Sequence, residues 1–132
     1  MSRENVELVR AAYEAWNRGD IGAALEHSRP DVRFVQDRRI PGAVDLTGRE
    51  ACRAWLESFY ETWDEFRLSP DRIEAVGDRV LILATIRAKG RMSEIEIEQR
   101  IGHILTVHGG QTVEWRSYAD PADALEAAGL RE

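Results

Sequence analysis

The sequence has one cysteine, Cys52, in 132 residues, so no intrachain disulfide can form and no Cys-x-x-Cys pair exists for zinc or redox chemistry. No apolar run approaches the roughly 20 residues that a membrane helix needs, and Met1-Ser2-Arg3-Glu4-Asn5 lacks the basic-then-apolar order of a secretion signal. A cytoplasmic location with no membrane partner is the expectation. Positive charge is in the minority: 18 Lys plus Arg face 24 Asp plus Glu, and the net charge of -6 has the wrong sign for gripping a phosphate backbone. Nucleic acid is therefore not an expected partner, and the Arg38-Arg39 pair reads as solvated loop surface.

Other absences narrow the chemistry. There is no Gly-x-x-x-x-Gly-Lys phosphate loop, no Gly-x-Gly-x-x-Gly after a strand and no Gly-x-Ser-x-Gly elbow, so nucleotide cofactors and serine hydrolase chemistry have no support. His103 and His108 are five apart on or near one strand and so face opposite ways, and His27 belongs to a distant helix. With no carboxylate at ligand spacing, no metal and no cofactor are expected.

What is present, 43% hydrophobic and 32% charged residues, suits one domain over 1–132 with a single core. Val6, Val9, Tyr13 and Trp16 make an apolar stripe at helical spacing, predicting a helix from about Arg3 to Arg18 that Ser2 caps and Gly19 ends. Asp20 is placed to cap a second helix, Ile21 to about His27, which Arg29-Pro30 stops. Val32 and Phe34 then alternate with Arg33 as a half-buried strand, followed by a loop around Pro41-Gly42. Thr47-Gly48-Arg49-Glu50 has the form of a capping box for a third helix, whose apolar face is Cys52, Trp55, Phe59 and Trp63.

Beyond Trp63 the period changes to two. Four strands are expected, Phe66 to Val76, Arg79 to Ala88, Glu94 to Val107 and Gln111 to Tyr118, separated by glycine turns, with a bulge at Gly102 to bend the longest. Asp120-Pro121 opens a last helix, Ala122 to Ala128, that Gly129 closes. Helices followed by a meander of long strands imply an α+β domain, with a curved, mainly antiparallel sheet wrapped around the N-terminal helices and enclosing a cavity.

The ordered set Trp16-Asn17-Arg18-Gly19-Asp20, Gly48-Arg49-Glu50-Ala51, Gly77-Asp78-Arg79-Val80 and the tail from Gly110 through Trp115, Tyr118 and Asp120 resembles the nuclear transport factor 2-like superfamily, in its SnoaL-like branch. The resemblance spans about Arg3 to Leu130 and implies a cone-shaped barrel with a pocket at its wide end, as a homodimer built on the outer face of the sheet. It also implies relatives of several chemistries, among them ketosteroid isomerase, polyketide cyclases, dehydratases and epoxide hydrolases, so the residues have to decide.

Isomerase chemistry needs a carboxylate base, a tyrosine and a protonated acid around an oxyanion. Counted from Gly19-Asp20 without a gap, the tyrosine slot falls on Ala12 and the base slot on Gln36, one short of Tyr13 and Asp37; counted back from Gly110, the acid slot falls on Gly102. A steroid isomerase is thereby disfavoured. Asp37 stays a candidate base if a bulge turns it inward, its bland reading being a loop aspartate paired with Arg38 or Arg39. Tyr13 is either a packing residue or a hydrogen-bond donor to a ligand.

The strand from Glu94 to Val107 offers two phases. Simple alternation sends Ile95, Ile97 and Ile101 to the pocket and Glu94, Glu96, Glu98 and Arg100 to solvent. The register carried back from Gly110 puts Glu98 and Arg100 inside and the isoleucines on an outer face that a partner chain would cover. This second phase adds Glu98 and Arg100 to Asp37 and Tyr13 as candidate catalytic residues, and Trp16, Trp55, Phe59 and Trp115 are the candidate pocket lining. The resulting expectation is a dimeric pocket protein for a small apolar organic ligand, either a cofactor-free isomerase, cyclase, dehydratase or hydrolase working by proton transfer, or a non-catalytic binding or dimerisation module.

Overall fold

A computed structural model describes residues 2–131. Its elements are α1 (Ser2–Asn17), α2 (Ile21–Ala24), β1 (Ser28–Gln36), β2 (Asp45–Thr47), α3 (Arg49–Thr62), β3 (Trp63–Val76), β4 (Arg79–Gly90), β5 (Glu96–His108), β6 (Gln111–Tyr118) and α4 (Pro121–Ala128). One six-stranded sheet has the order β2-β1-β6-β5-β4-β3 and is antiparallel throughout except where β1 runs parallel to β6. The sheet stays open, with β2 and β3 as its edges.

Local signals explain most boundaries. Gly19 takes the left-handed conformation, φ 81°, which closes α1, and the Asp20 carboxylate accepts from Ala23 N–H at 3.0 Å to start α2. The helix is shorter than its spacing suggested, ending at Ala24. The Ser2 side chain, expected to cap α1, lies outside the described residues. The Thr47 capping box does not form: Thr47 is the last residue of β2, paired with Arg33, and Gly48 precedes α3 with no side-chain cap. Ladder pairing has claimed the threonine that the helix needed. α4 follows its signals, with Asp120 accepting from Ala122 N–H at 2.9 Å and Gly129 left-handed at φ 76°.

The curvature originates elsewhere than at Gly102. β5 pairs with β4 without interruption from Glu96 to Thr106, whereas β3 carries the extra residues Asp64 and Asp71 opposite β4, and β6 carries Val113 opposite β5. Such bulges bend and twist the strand that contains them. Gly102 serves close approach instead: a Cβ there would collide with the Cβ of Ala124 on α4.

Two apolar layers result. On the concave side α1 and α3 press Val9, Tyr13, Trp16, Cys52 and Leu56 against Val80, Ile82, Ala84, Ile101, Leu105 and Trp115. On the convex side α4 covers Leu81, Leu83 and Ile104 with Ala124, Leu125 and Ala128. β4 therefore reads as the unbroken buried run Val80 to Thr85, as a strand covered on both faces must. Asn17 ties α1 to β3 by bonding both backbone groups of Leu68, donating to its carbonyl and accepting from its N–H at 2.8 Å.

The two phases of β5 are resolved by its hydrophobic set. Ile97, Ile101, Leu105 and Val107 share one parity and face the concave side, so Glu98 and Arg100 face outward and are exposed. The opposite phase would bury a carboxylate and a guanidinium and expose four aliphatic side chains. Of the isoleucines expected to need a partner chain, Ile97 and Ile101 are consequently inside, while Ile95, which precedes β5, is exposed; beyond α4 the outer face carries Glu65, Arg67, Arg87, Lys89, Glu96, Glu98 and Arg100.

Candidate functional site

A cavity of about 540 Å³ opens between α1, α3, the loop 37–44 and the concave side of the sheet. Its wall is an arc of rings. Tyr13 stacks on Trp115 with centroids 5.8 Å apart, Trp115 meets Phe34 at 5.4 Å, Phe34 meets Trp55 at 5.0 Å, Trp55 meets Phe59 at 4.8 Å, and Phe59 meets Phe66 at 4.9 Å. Trp16 closes the arc against Phe59 and Phe66 at 6.0 and 5.6 Å. All four aromatic residues assigned from the sequence, Trp16, Trp55, Phe59 and Trp115, line this one space, joined by Phe34, Trp63 and Phe66. The indole Nε1 atoms of Trp16 and Trp115 have no hydrogen-bond partner among the described residues and are shut off by packing, so these residues supply ring surface rather than donors.

Among the described residues no Asp, Glu, Lys or Arg lines the cavity. Its titratable groups are Tyr13 and His103, which hydrogen-bond to each other through the tyrosine hydroxyl and the imidazole Nδ1. Tyr13 is 1% and His103 5% exposed. Burial raises the Tyr13 pKa well above its ordinary value and pushes His103 down to about 3, since neither charge would be solvated there. Both are neutral near pH 7. With the ring protonated on Nε2, Tyr13 donates to Nδ1 and Nε2–H is left to donate; in the other tautomer Nδ1–H donates to the tyrosine oxygen and the hydroxyl proton is left. Either way a neutral pair offers a ligand oxygen one hydrogen-bond donor.

The remaining candidates lie elsewhere. Asp37 does not line this cavity; it lies in an adjoining depression with Arg39, Arg116 and Asp123 that shares Gln36 and Ser117 with it. Its carboxylate accepts from Arg39 N–H at 3.1 Å, from the Arg39 guanidinium at 3.2 Å and from Ala119 N–H at 3.4 Å. These bonds, the Arg39 backbone one first, hold its pKa below the usual carboxylate value, the opposite of what a general base near neutral pH requires. The preceding residue, Gln36, is the one facing the cavity. Glu98 pairs with Arg87 at 3.3 Å on the exposed outer face, and Arg100 is exposed on the same face. Neither touches the pocket, because the parity that buries Ile97 and Ile101 excludes them.

His103 was weighed from the sequence as a metal ligand alone, yet it shares parity with Ile101 and Leu105, and Tyr13 sits on the apolar stripe of α1. That shared burial was the available signal; the contact across 90 residues was not.

A curved sheet folded over three helices, with an aromatic pocket on its concave side, defines the nuclear transport factor 2-like architecture, and solved structures agree. A protein of that type of unknown function from Burkholderia pseudomallei superposes with a TM-score of 0.81 at 25% identity, covering 96% of this chain and 97% of that one. A protein described as a SnoaL-like polyketide cyclase from Jannaschia gives 0.79 at 18% identity over 99% and 95% of the two chains. TerC, co-crystallised with polyporic acid, gives 0.79 at 20% identity over 96% and 98%. No curated protein matches. The SnoaL-like domain family matches residues 9–115, and the chain belongs to that family.

Proposed function

We propose that this protein binds a neutral, largely apolar ring compound in the aromatic cavity and anchors one oxygen of it on the Tyr13–His103 pair. The observation that carries this reading is a 540 Å³ space walled by rings, in which the titratable lining groups are held neutral by burial. An ionised ligand would lose its hydration without meeting a counter-charge, whereas a neutral one gains about 25 cal/mol for each Å² of apolar surface removed from water. The pair can polarise a carbonyl by donating to it. It is a poor proton acceptor, because His103 resists protonation above about pH 3 and no carboxylate among the described residues lines the cavity. Binding therefore ranks above the cofactor-free isomerase, cyclase, dehydratase or hydrolase reading.

A single experiment separates them. 2-Tetralone is expected to quench the tryptophan fluorescence of the wild-type protein saturably, and Tyr13→Phe and His103→Leu to weaken it about five- to tenfold, the range of one or two lost hydrogen bonds. Arg100→Leu, on the outer face, should leave the affinity unchanged. In D₂O the α-protons of the ketone should exchange no faster with the protein than without it, as followed by NMR. Exchange accelerated a hundredfold and abolished in His103→Leu would establish catalysis and replace the binding reading.

Pairing of two chains through the outer face of the sheet is part of the same proposal. Its contacts would be the charged rows of β3, β4 and β5, so the dimer is expected to loosen between low salt and roughly 1 M salt, where the Debye length falls to about 3 Å. Sedimentation velocity showing a salt-independent dimer, or a monomer at every salt concentration, would count against that face.

A further inference from the structure

Three cavity-facing polar residues lie side by side across the sheet. His103 on β5 is the ladder partner of Ser117 on β6, and Ser117 is the ladder partner of Gln36 on β1. All three line the cavity. Neighbouring strands are about 4.8 Å apart, so the row presents an imidazole, a hydroxyl and an amide at regular intervals. On one side runs the apolar row Leu105, Trp115, Phe34, so the polar row is a stripe bounded by hydrophobic wall.

Each member has capacity to spare. Ser117 is 6% exposed, and its hydroxyl makes no hydrogen bond to any described residue. Gln36 accepts from Val44 N–H at 3.2 Å through its side-chain oxygen, which leaves the amide NH₂ as its free end. His103 bonds Tyr13 through Nδ1, leaving Nε2 without a partner among the described residues. The Ser117 hydroxyl is not among the side-chain atoms sealed off by packing, so it is open to the cavity, where a ligand oxygen can take the place of water.

From this row we infer that the ligand carries two oxygen atoms on one edge or across one ring, separated by about one strand spacing, the first bound at Tyr13–His103 and the second at Ser117, with Gln36 beside it. Two carbonyls para to each other on a six-membered ring are on the order of 5 Å apart and fit that interval. The inference rests on the cavity reading above and adds Ser117 and Gln36 as residues that set ligand specificity. Neither is adjacent to the other or to His103 in the sequence; the row exists through register alone.

The test uses 2,3-dimethylnaphthalene, which has no oxygen, and 2,3-dimethyl-1,4-naphthoquinone, which has the same skeleton with two carbonyls and no free position for thiol addition. Tryptophan quenching gives affinities, and infrared difference spectra report the two carbonyl stretches of the bound quinone. In Ser117→Ala the quinone is expected to bind about fivefold more weakly, the hydrocarbon equally well, and one of two lowered carbonyl stretches to return to its unbonded frequency. Quinone affinity and carbonyl bands unchanged in Ser117→Ala, with both probes still bound, would overturn the row while leaving the cavity reading intact. Failure of the wild-type protein to bind either probe would overturn the cavity reading, and the row with it.

Discussion

Lowering the pH from 7 to 4 is expected to remove about 3 kcal/mol of stability through His103 alone. The folded-state pKa of His103 is depressed to about 3, against an ordinary value of 6.5. Between those values the unfolded chain takes up a proton that the folded chain refuses, so unfolding is favoured as pH falls. The contribution is fully present above about pH 6.5 and is lost at about 1.4 kcal/mol per pH unit until the folded protein also protonates. Urea unfolding across this range should show the slope in the wild type. His103→Gln, which keeps a hydrogen-bonding partner for Tyr13 and does not titrate, should show a slope smaller by one proton. Carboxylates such as Asp37 and Asp78, whose pKa values are lowered by hydrogen bonds to Arg39 and His108, add acid sensitivity of the same sign, but equally in both proteins. Identical slopes in the two proteins would mean that His103 is hydrated and titrates normally, and the neutral anchor would be lost with it.

The second large effect belongs to the far side of the sheet. Gly102→Ala is expected to destabilise the protein by about 2 kcal/mol, the typical cost of forcing atoms into a filled core, because the added Cβ meets Ala124 where α4 lies on β5. Gly102→Val should cost more. Removing the opposing methyl tests the cause: Ala124→Gly costs helix propensity by itself, about 1 kcal/mol, yet combined with Gly102→Ala it should recover part of the loss. Additive losses in the double mutant would place the origin in the backbone of β5 instead of the contact. Since α4 packs on the convex face, ligand affinity in the concave cavity should survive both substitutions as long as the protein is folded.

These two positions show how unevenly the sequence discloses its own structure. Capping and turn chemistry were legible at Gly19, Asp20, Asp120 and Gly129, where the interaction is between residues a few positions apart. Thr47 misled, because its competing partner is Arg33 on another strand. Gly102 was noticed for the wrong reason: a glycine in a strand signals either a bulge or a close neighbour, and nothing local distinguishes them. The α4 helix that needs the space begins about 20 residues later.

The candidate site divides in the same way. Trp16, Trp55, Phe59 and Trp115 were recoverable because an apolar stripe must be buried wherever its helix or strand packs. Glu98 and Arg100 were misplaced by a register carried from a turn, although the isoleucines beside them already stated the parity that burial enforces. Asp37 was one residue past the cavity-facing Gln36, where β1 has ended and the loop 37–44 turns its carboxylate to Arg39 and Ala119 N–H.

By itself the sequence determined an α+β chain with amphipathic helices ahead of a long antiparallel meander, and an aromatic core rich enough to line a pocket. Periodicity, caps and glycine turns act over a few residues, so they are written along the chain. The tertiary structure alone decided that Tyr13 meets His103 and that Ser117 and Gln36 extend that polar contact across three strands. Those outcomes depend on strand register and on which face each layer covers, and both are set by the joint burial of residues as much as 90 positions apart.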